Sequence, residues 1–196
     1  MAVYNDGILH CGENYVQELH GKALKLELKD ECPDIRWHFI GHLQSNKAKL
    51  LASVKNLWMV ETIDREKVAS ALDRHWAMSS QSEEPLRVLV QVNTTLEGKF
   101  GCSVEEIGEL AAFIRDKCPS LRFCGLMTLG RLTTGLPNKD FETLVKCAER
   151  IKKEFGMKEL ELSMGTSNNY KEAIKLGSTN IRVGSALLGE RAPSCQ

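Results

Sequence analysis

The sequence predicts an α/β fold of the (β/α) TIM-barrel type, and three observations select it. Short apolar runs alternate with amphipathic helical patterns along the whole chain, an order that gives parallel strands covered by helices. The run RVLVQVN is almost wholly apolar in its first half, as expected of a strand buried on both faces. The small-residue loops follow the last two runs. Barrels build phosphate sites there, whereas an open doubly wound sheet carries its glycine loop after the first strand. Here the first run leads into CGENYVQ, which holds no G-x-G-x-x-G.

The elements follow in order. Strands are expected at 8–11, 36–40, 57–61, 87–93, 121–127, 159–163 and 180–183. Val16, Leu19, Ala23 and Leu26 form a helical stripe after the first, by their three- and four-residue steps. Ile107, Leu110, Ala111 and Ile114 form another, opened by Ser103 and Glu106 in capping-box spacing. Phe141, Leu144, Val145, Ala148, Ile151 and Phe155 mark a third. Gly177 closes a short helix over 171–176. The polar segment 78–85, MSSQSEEP, reads as a surface loop, so residues 1–196 form a single domain. Seven runs are present where a closed barrel needs eight. The pattern therefore fits a barrel without its first strand and most of its first helix.

Composition narrows the function classes. The chain has 196 residues, 27% of them charged, and a formal net charge of zero, so no global field attracts polyanions. Nucleic acid is not an expected partner. The start of the chain lacks a signal-peptide pattern, and no apolar stretch approaches the ~20 residues of a membrane span. Seven cysteines, Cys11, Cys32, Cys102, Cys118, Cys124, Cys147 and Cys195, include no C-x-x-C pair. They read as reduced, buried thiols in a reducing compartment. His38 and His42 straddle a strand end and a glycine, so their spacing does not build a helical metal site, and no metal is expected. His38 is expected to pack in its strand, and His42 to face the pocket. The charged stretches 29–34 and 149–154 read as solvated faces. Met127 and Met164 read as core.

The loops SMGTSNN and VGS each precede a helical pattern. Backbone amides at such turns can converge on a phosphate, with glycine allowing close approach. Ser163, Thr166 and Ser185 add hydroxyls, and Arg182 sits at a strand's C-terminal end, where barrel sites form.

HCGENYVQE (10–18), WHFIGHLQSNKAK (37–49), GLMTLG (125–130), LSMGTSNNYKEAI (162–174) and STNIRVGSALLGER (178–191) resemble, in order and across essentially the whole chain, the pyridoxal phosphate homeostasis protein family. The resemblance implies a barrel of the alanine racemase N-terminal-domain type. It also implies one pyridoxal 5'-phosphate (PLP) and a role in intracellular vitamin B6 homeostasis without established catalytic activity. Two alternatives stand beside it: a racemase-like PLP enzyme, and an interaction-only isoform. By resemblance, Ser163 and Thr166 in one loop and Gly184 and Ser185 in the other hold the phosphate. Arg182 faces the pyridine nitrogen, and Asn14 lies near the ring. Many relatives have Met at the position of Thr166.

The family's Schiff-base lysine belongs to a first strand that would precede Met1, so no catalytic residue is assigned and PLP is expected to bind non-covalently at best. Lys47, Lys49 and Lys99 are candidates only for adventitious reaction. A monomer or weak dimer is expected, with pairing through the open barrel edge. The expected location is cytoplasmic, with a mitochondrial pool as the alternative.

Overall fold

The computed structural model describes residues 2–25, 32–79, 84–95, 100–131 and 138–189. A short helix α1 (Ala2–Asn5) precedes β1 (His10–Glu13) and α2 (Val16–Leu24). Next come β2 (Arg36–Phe39), a 3-10 turn (Ser45–Lys47) running into α3 (Ala48–Ala52), β3 (Leu57–Ile63) and α4 (Glu66–Ala77). The central part holds β4 (Leu86–Gln91), α5 (Ile107–Lys117), β5 (Leu121–Met127) and α6 (Lys139–Phe155). The last units are β6 (Glu161–Thr166), α7 (Tyr170–Lys175), β7 (Asn180–Arg182) and α8 (Ser185–Leu188).

The strands form one seven-stranded parallel sheet in sequential order, β1 to β7. This is an α/β barrel of TIM type. Among the described residues no pairing joins β7 back to β1. Each expected strand is present, with bounds shifted by up to three residues; β6 runs to Thr166 because the glycine in SMGT stays in the ladder.

Two cores result. The larger lies between the sheet's outer face and the helices and includes Leu19, Phe39, Val60, Leu72, Val88, Ile114, Phe141 and Met164. The smaller lies inside the barrel, where Met59 of β3, Leu89 of β4 and Met127 of β5 pack together. Glycines permit close strand contact at two points. A Cβ on Gly125 would sit 2.0 Å from Glu161 O, and one on Gly41 would sit 1.9 Å from Asn14 O. The first packs β5 against β6; the second packs the C-terminal ends of β1 and β2.

The local signals hold. Ser103 N–H donates to Glu106 Oε2 at 2.9 Å and Ser103 Oγ accepts from Glu106 N–H at 3.4 Å, the capping box, just ahead of α5. Gly177, at φ 93°, ends the turn after α7. Asn138 Oδ1 accepts from the N–H groups of Asp140 and Phe141 and caps α6, whose exposed face carries Glu149, Lys153 and Glu154.

Cys32, Cys102, Cys118 and Cys147 are buried and Cys11 and Cys124 are half-buried; Cys11, Cys102, Cys118, Cys124 and Cys147 are free thiols. Burial pushes the Cys102 thiol up to about 12 and the Cys118 thiol up to about 11, so neither is a ready nucleophile. Leu26 of the first helical stripe, Lys99, Cys195, residues 29–31 and residues 80–83 of the polar loop lie outside the described residues. Among the described residues no helix is long and apolar enough to cross a membrane.

Candidate functional site

The barrel interior is divided. Opposite Met59, Leu89 and Met127, the side chains of β1, β2, β6 and β7 converge on one carboxylate, Glu61 of β3, which is only 1% exposed. Glu61 Oε1 accepts from His38 Nδ1 at 2.7 Å and from Asn180 Nδ2 at 2.9 Å. Glu61 Oε2 accepts from Ser163 Oγ at 2.5 Å. Ser163 Oγ in turn accepts from Arg182 Nη1 at 2.6 Å, and Arg182 Nη2 donates to Thr128 O at 2.7 Å. Thr128 is itself fixed, its hydroxyl donating to Val92 O at 3.0 Å and accepting from Thr94 Oγ1 at 2.9 Å.

The hydrogen bonds have one direction. Arg36 Nη1 lies 3.3 Å from His10 Nε2, and His10 Nδ1 lies 2.7 Å from His38 Nε2. A guanidinium only donates and an ionised carboxylate only accepts, so the two ends settle both imidazole tautomers. Protons point from Arg36 through His10 and His38 to Glu61, and from Arg182 through Ser163 to the same carboxylate.

Burial opposes ionisation of Glu61. The hydrogen bond and attraction of His38, the bond from Ser163 and the charge of Arg182 outweigh it, and the carboxyl sits below the usual range. Burial pushes Arg182 down, with Glu61 opposing. Burial, then repulsion from His38 and Arg36, pushes His10 down, against the pull of Glu61. Burial pushes Glu161 up.

Above Arg182 the two small-residue loops meet. Ser167 Oγ accepts from Gly184 N–H at 3.2 Å and from Ala186 N–H at 3.3 Å, so two amides of the last loop already converge on an oxygen of the other. Asn169 Oδ1 accepts from Thr166 N–H at 2.8 Å and from Thr166 Oγ1 at 3.2 Å. Asn169 Nδ2 is buried and finds no partner among the described residues. A Cβ on Gly184 would meet nothing within 4 Å, so open space adjoins these donors.

Of the residues singled out in the sequence, Ser163, Thr166, Arg182, Gly184 and Ser185 therefore share the C-terminal side of β6 and β7. Asn14 follows β1, exposed, and makes its backbone contact with Gly41. The hydroxyls of Ser163 and Thr166 are spent on Glu61 and Asn169. His38 is packed in β2 as expected, and it is also a buried member of the polar network. His42 lies 3.3 Å from Asp64 and stacks on Phe100 at 4.4 Å between ring centres. Lys47 and Lys49 lie on the turn after β2 and in α3. Among the described residues no group of three or more His, Cys, Asp and Glu could hold a metal.

Sequence reasoning missed Glu61, Asn180, Thr128, Ser167 and Asn169. A lone acid closing the apolar run LWMVE was the available signal for Glu61. A cleft of about 780 Å³ opens at the opposite end of the barrel, beside Arg36, Trp58 and Arg87, and meets this network at Arg36.

The family profile described as the N-terminal domain of alanine racemase matches residues 1–192. The pyridoxal phosphate homeostasis protein of Bos taurus is 44% identical over 197 residues, covering 97% of this chain and 72% of the bovine one. This chain belongs to the pyridoxal phosphate homeostasis protein family. The structure of PipY from Synechococcus elongatus with PLP bound superposes with a TM-score of 0.79 at 30% identity, covering 96% of this chain and 85% of PipY. Alanine racemase of Corynebacterium glutamicum shares the fold, with a TM-score of 0.65 at 16% identity over 94% of this chain and 48% of the racemase.

Proposed function

We propose that this chain binds PLP at the C-terminal mouth of β6 and β7 and serves PLP homeostasis by holding the cofactor rather than by turning over a substrate. The observation that carries the reading is Arg182, a guanidinium fixed by Ser163 Oγ and Thr128 O directly beneath two amide-lined loops.

The residues present fit the cofactor. An anionic phosphate needs several N–H donors. The amides of Gly184 and Ala186 are already gathered on one oxygen, and the buried Asn169 Nδ2 has none. Ser167 and Ser185 supply hydroxyls beside them, Gly184 leaves room, and Ser163 and Thr166 brace the loop from below. Arg182 would meet the ring, and Asn14 would lie near it. The pyridoxal group supplies an electron sink when its ring nitrogen is protonated. A guanidinium stays protonated at any physiological pH, so Arg182 would donate to that nitrogen and disfavour its protonation.

The acid–base groups around Arg182 support holding over turnover. Both oxygens of Glu61 and both ring nitrogens of His38 and His10 have internal partners. The names of the bovine relative and of PLP-bound PipY support the ligand and the role. Titration of PLP into the purified chain, followed by absorbance, tests the reading. Saturable binding is expected, and a folded sample that gives no saturable change overturns it.

A further inference from the structure

A fully buried carboxylate beneath a phosphate site needs a reason. Its charge repels an anionic ligand, and its burial is costly unless every lone pair is used. Glu61 accepts on both of its oxygens from three elements at once: His38 of β2, Asn180 of β7 and Ser163 of β6. An ionised carboxylate accepts and never donates, so Ser163 must turn its hydrogen toward Glu61. The lone pairs of Ser163 Oγ are then left for the Arg182 Nη1 donor at 2.6 Å. On the far side, His10 and Arg36 set the ring of His38 so that its Nδ1 hydrogen also points at Glu61.

The geometry points to Glu61 as a positioning residue that orients the guanidinium of Arg182 through the Ser163 hydroxyl, with His38 and Asn180 holding Glu61 in place. The inference rests on the PLP reading of the mouth above and adds a role for a residue below it. Glu61 touches neither ligand loop. Its effect on a bound ring passes through Ser163 and Arg182, so it alters how the ring nitrogen is met and leaves the phosphate amides of Gly184 and Ala186 unchanged.

Glu61→Gln keeps the shape but puts an amide donor on one of the two atoms. The glutamine oxygen serves His38 and Asn180 together, which turns the NH2 toward Ser163. Ser163 then accepts where it had donated, and its fixed polarity toward Arg182 is lost. Ser163→Ala cuts the same link one atom later and leaves Glu61 with His38 and Asn180. The experiment compares wild type, each single variant and the double variant in PLP titrations and in the pH dependence of the bound-PLP absorption spectrum.

The expected result has three parts. Each single variant loses affinity by about tenfold or more, the scale of a hydrogen bond to a charged group. The double variant loses no more than the worse single, since both break one link. The spectrum of bound PLP, insensitive to pH in wild type, gains a ring-nitrogen titration in the variants. Should Glu61→Gln fail to fold, Ser163→Ala carries the test alone with the same expected loss and the same new titration. Wild-type affinity and spectrum in a folded variant overturn the inference. So do additive losses with an unchanged spectral pH profile, which mark a structural role only. A wild-type chain that binds no PLP overturns the function reading and this inference together.

Discussion

The two halves of the barrel interior are built on different physics. On the side of β3, β4 and β5, Met59, Leu89 and Met127 fill the space with apolar volume, and β3 and β4 are buried along nearly their whole length. On the side of β1, β2, β6 and β7, the filling is a chain of charged and polar groups around Glu61, which reaches in from β3. The bounding strands are more open there: β1 alternates exposed and half-buried residues, and β7 is half-buried throughout. Apolar packing tolerates volume-conserving change and needs no orientation. A polar network needs every donor matched to an acceptor, and a half-satisfied one is worse than none. The apolar flank therefore supplies stability, while the polar flank supplies direction, and direction is what a site must have.

The comparison can be broken from the apolar side first. Leu89→Ala removes a fully buried side chain with Met59 and Met127 as neighbours. It is expected to cost about 2–5 kcal/mol in urea unfolding while leaving PLP affinity of the folded fraction near wild type. A large affinity loss at full stability would mean that the two halves are not separate.

From the polar side, Glu61→Ala strands the donors of His38, Asn180 and Ser163 in a buried place. Each stranded donor costs about 1–3 kcal/mol. Here PLP affinity should fall with stability, the reverse of the Leu89→Ala pattern.

Acid sharpens the contrast. Glu61 is held below its ordinary carboxylate range, so its contribution is present above the unfolded pKa and lost as pH falls through the folded one. His10 is held below the ordinary imidazole value of about 6.5, so the unfolded chain takes up that proton first and stability falls as pH drops below that point. Both act in one direction, and urea midpoints should decline from neutral toward acid pH. Around Glu61 the charged and titratable neighbours are His38, His10, Arg182 and Glu161. His10→Gln should remove the earlier part of the decline, and Glu61→Gln the later part. An unchanged acid limb in both variants would place the lability elsewhere.

The smallest effect belongs to neither half. Glu149 and Lys152 pair at 3.1 Å on the outer face of α6, with Glu149 exposed. Glu149→Ala should move stability by no more than about 0.5 kcal/mol, and it serves as the baseline against which the other changes are read.

The sequence carried the apolar half well and the polar half poorly, for a physical reason. Strands such as LRVLVQ and helices such as KDFETLVKCAERIKKEF announce themselves by period, because burial acts on every residue of a face. The two loops were legible because glycine and serine cluster where an apolar run stops. Arg182 was visible from its place at a strand end. Glu61, Asn180 and Thr128 carry no local pattern: their partners lie up to 119 residues away, as with Asn180 and Glu61. Ser163 was found for its loop position, yet its hydroxyl belongs to the interior, since the strand carries it inward. His38 read as strand packing because a buried imidazole and a buried aromatic look alike in a run such as RWHF.

Backbone hydrogen–deuterium exchange with and without PLP tests the division of labour most directly. Saturating PLP should slow exchange at residues 166–169 and 183–186 and leave β3, β4 and β5 at their unliganded rates. Protection centred instead on the opposite cleft beside Arg36, Trp58 and Arg87, or spread evenly over the barrel, would contradict a site built on the polar half around Arg182.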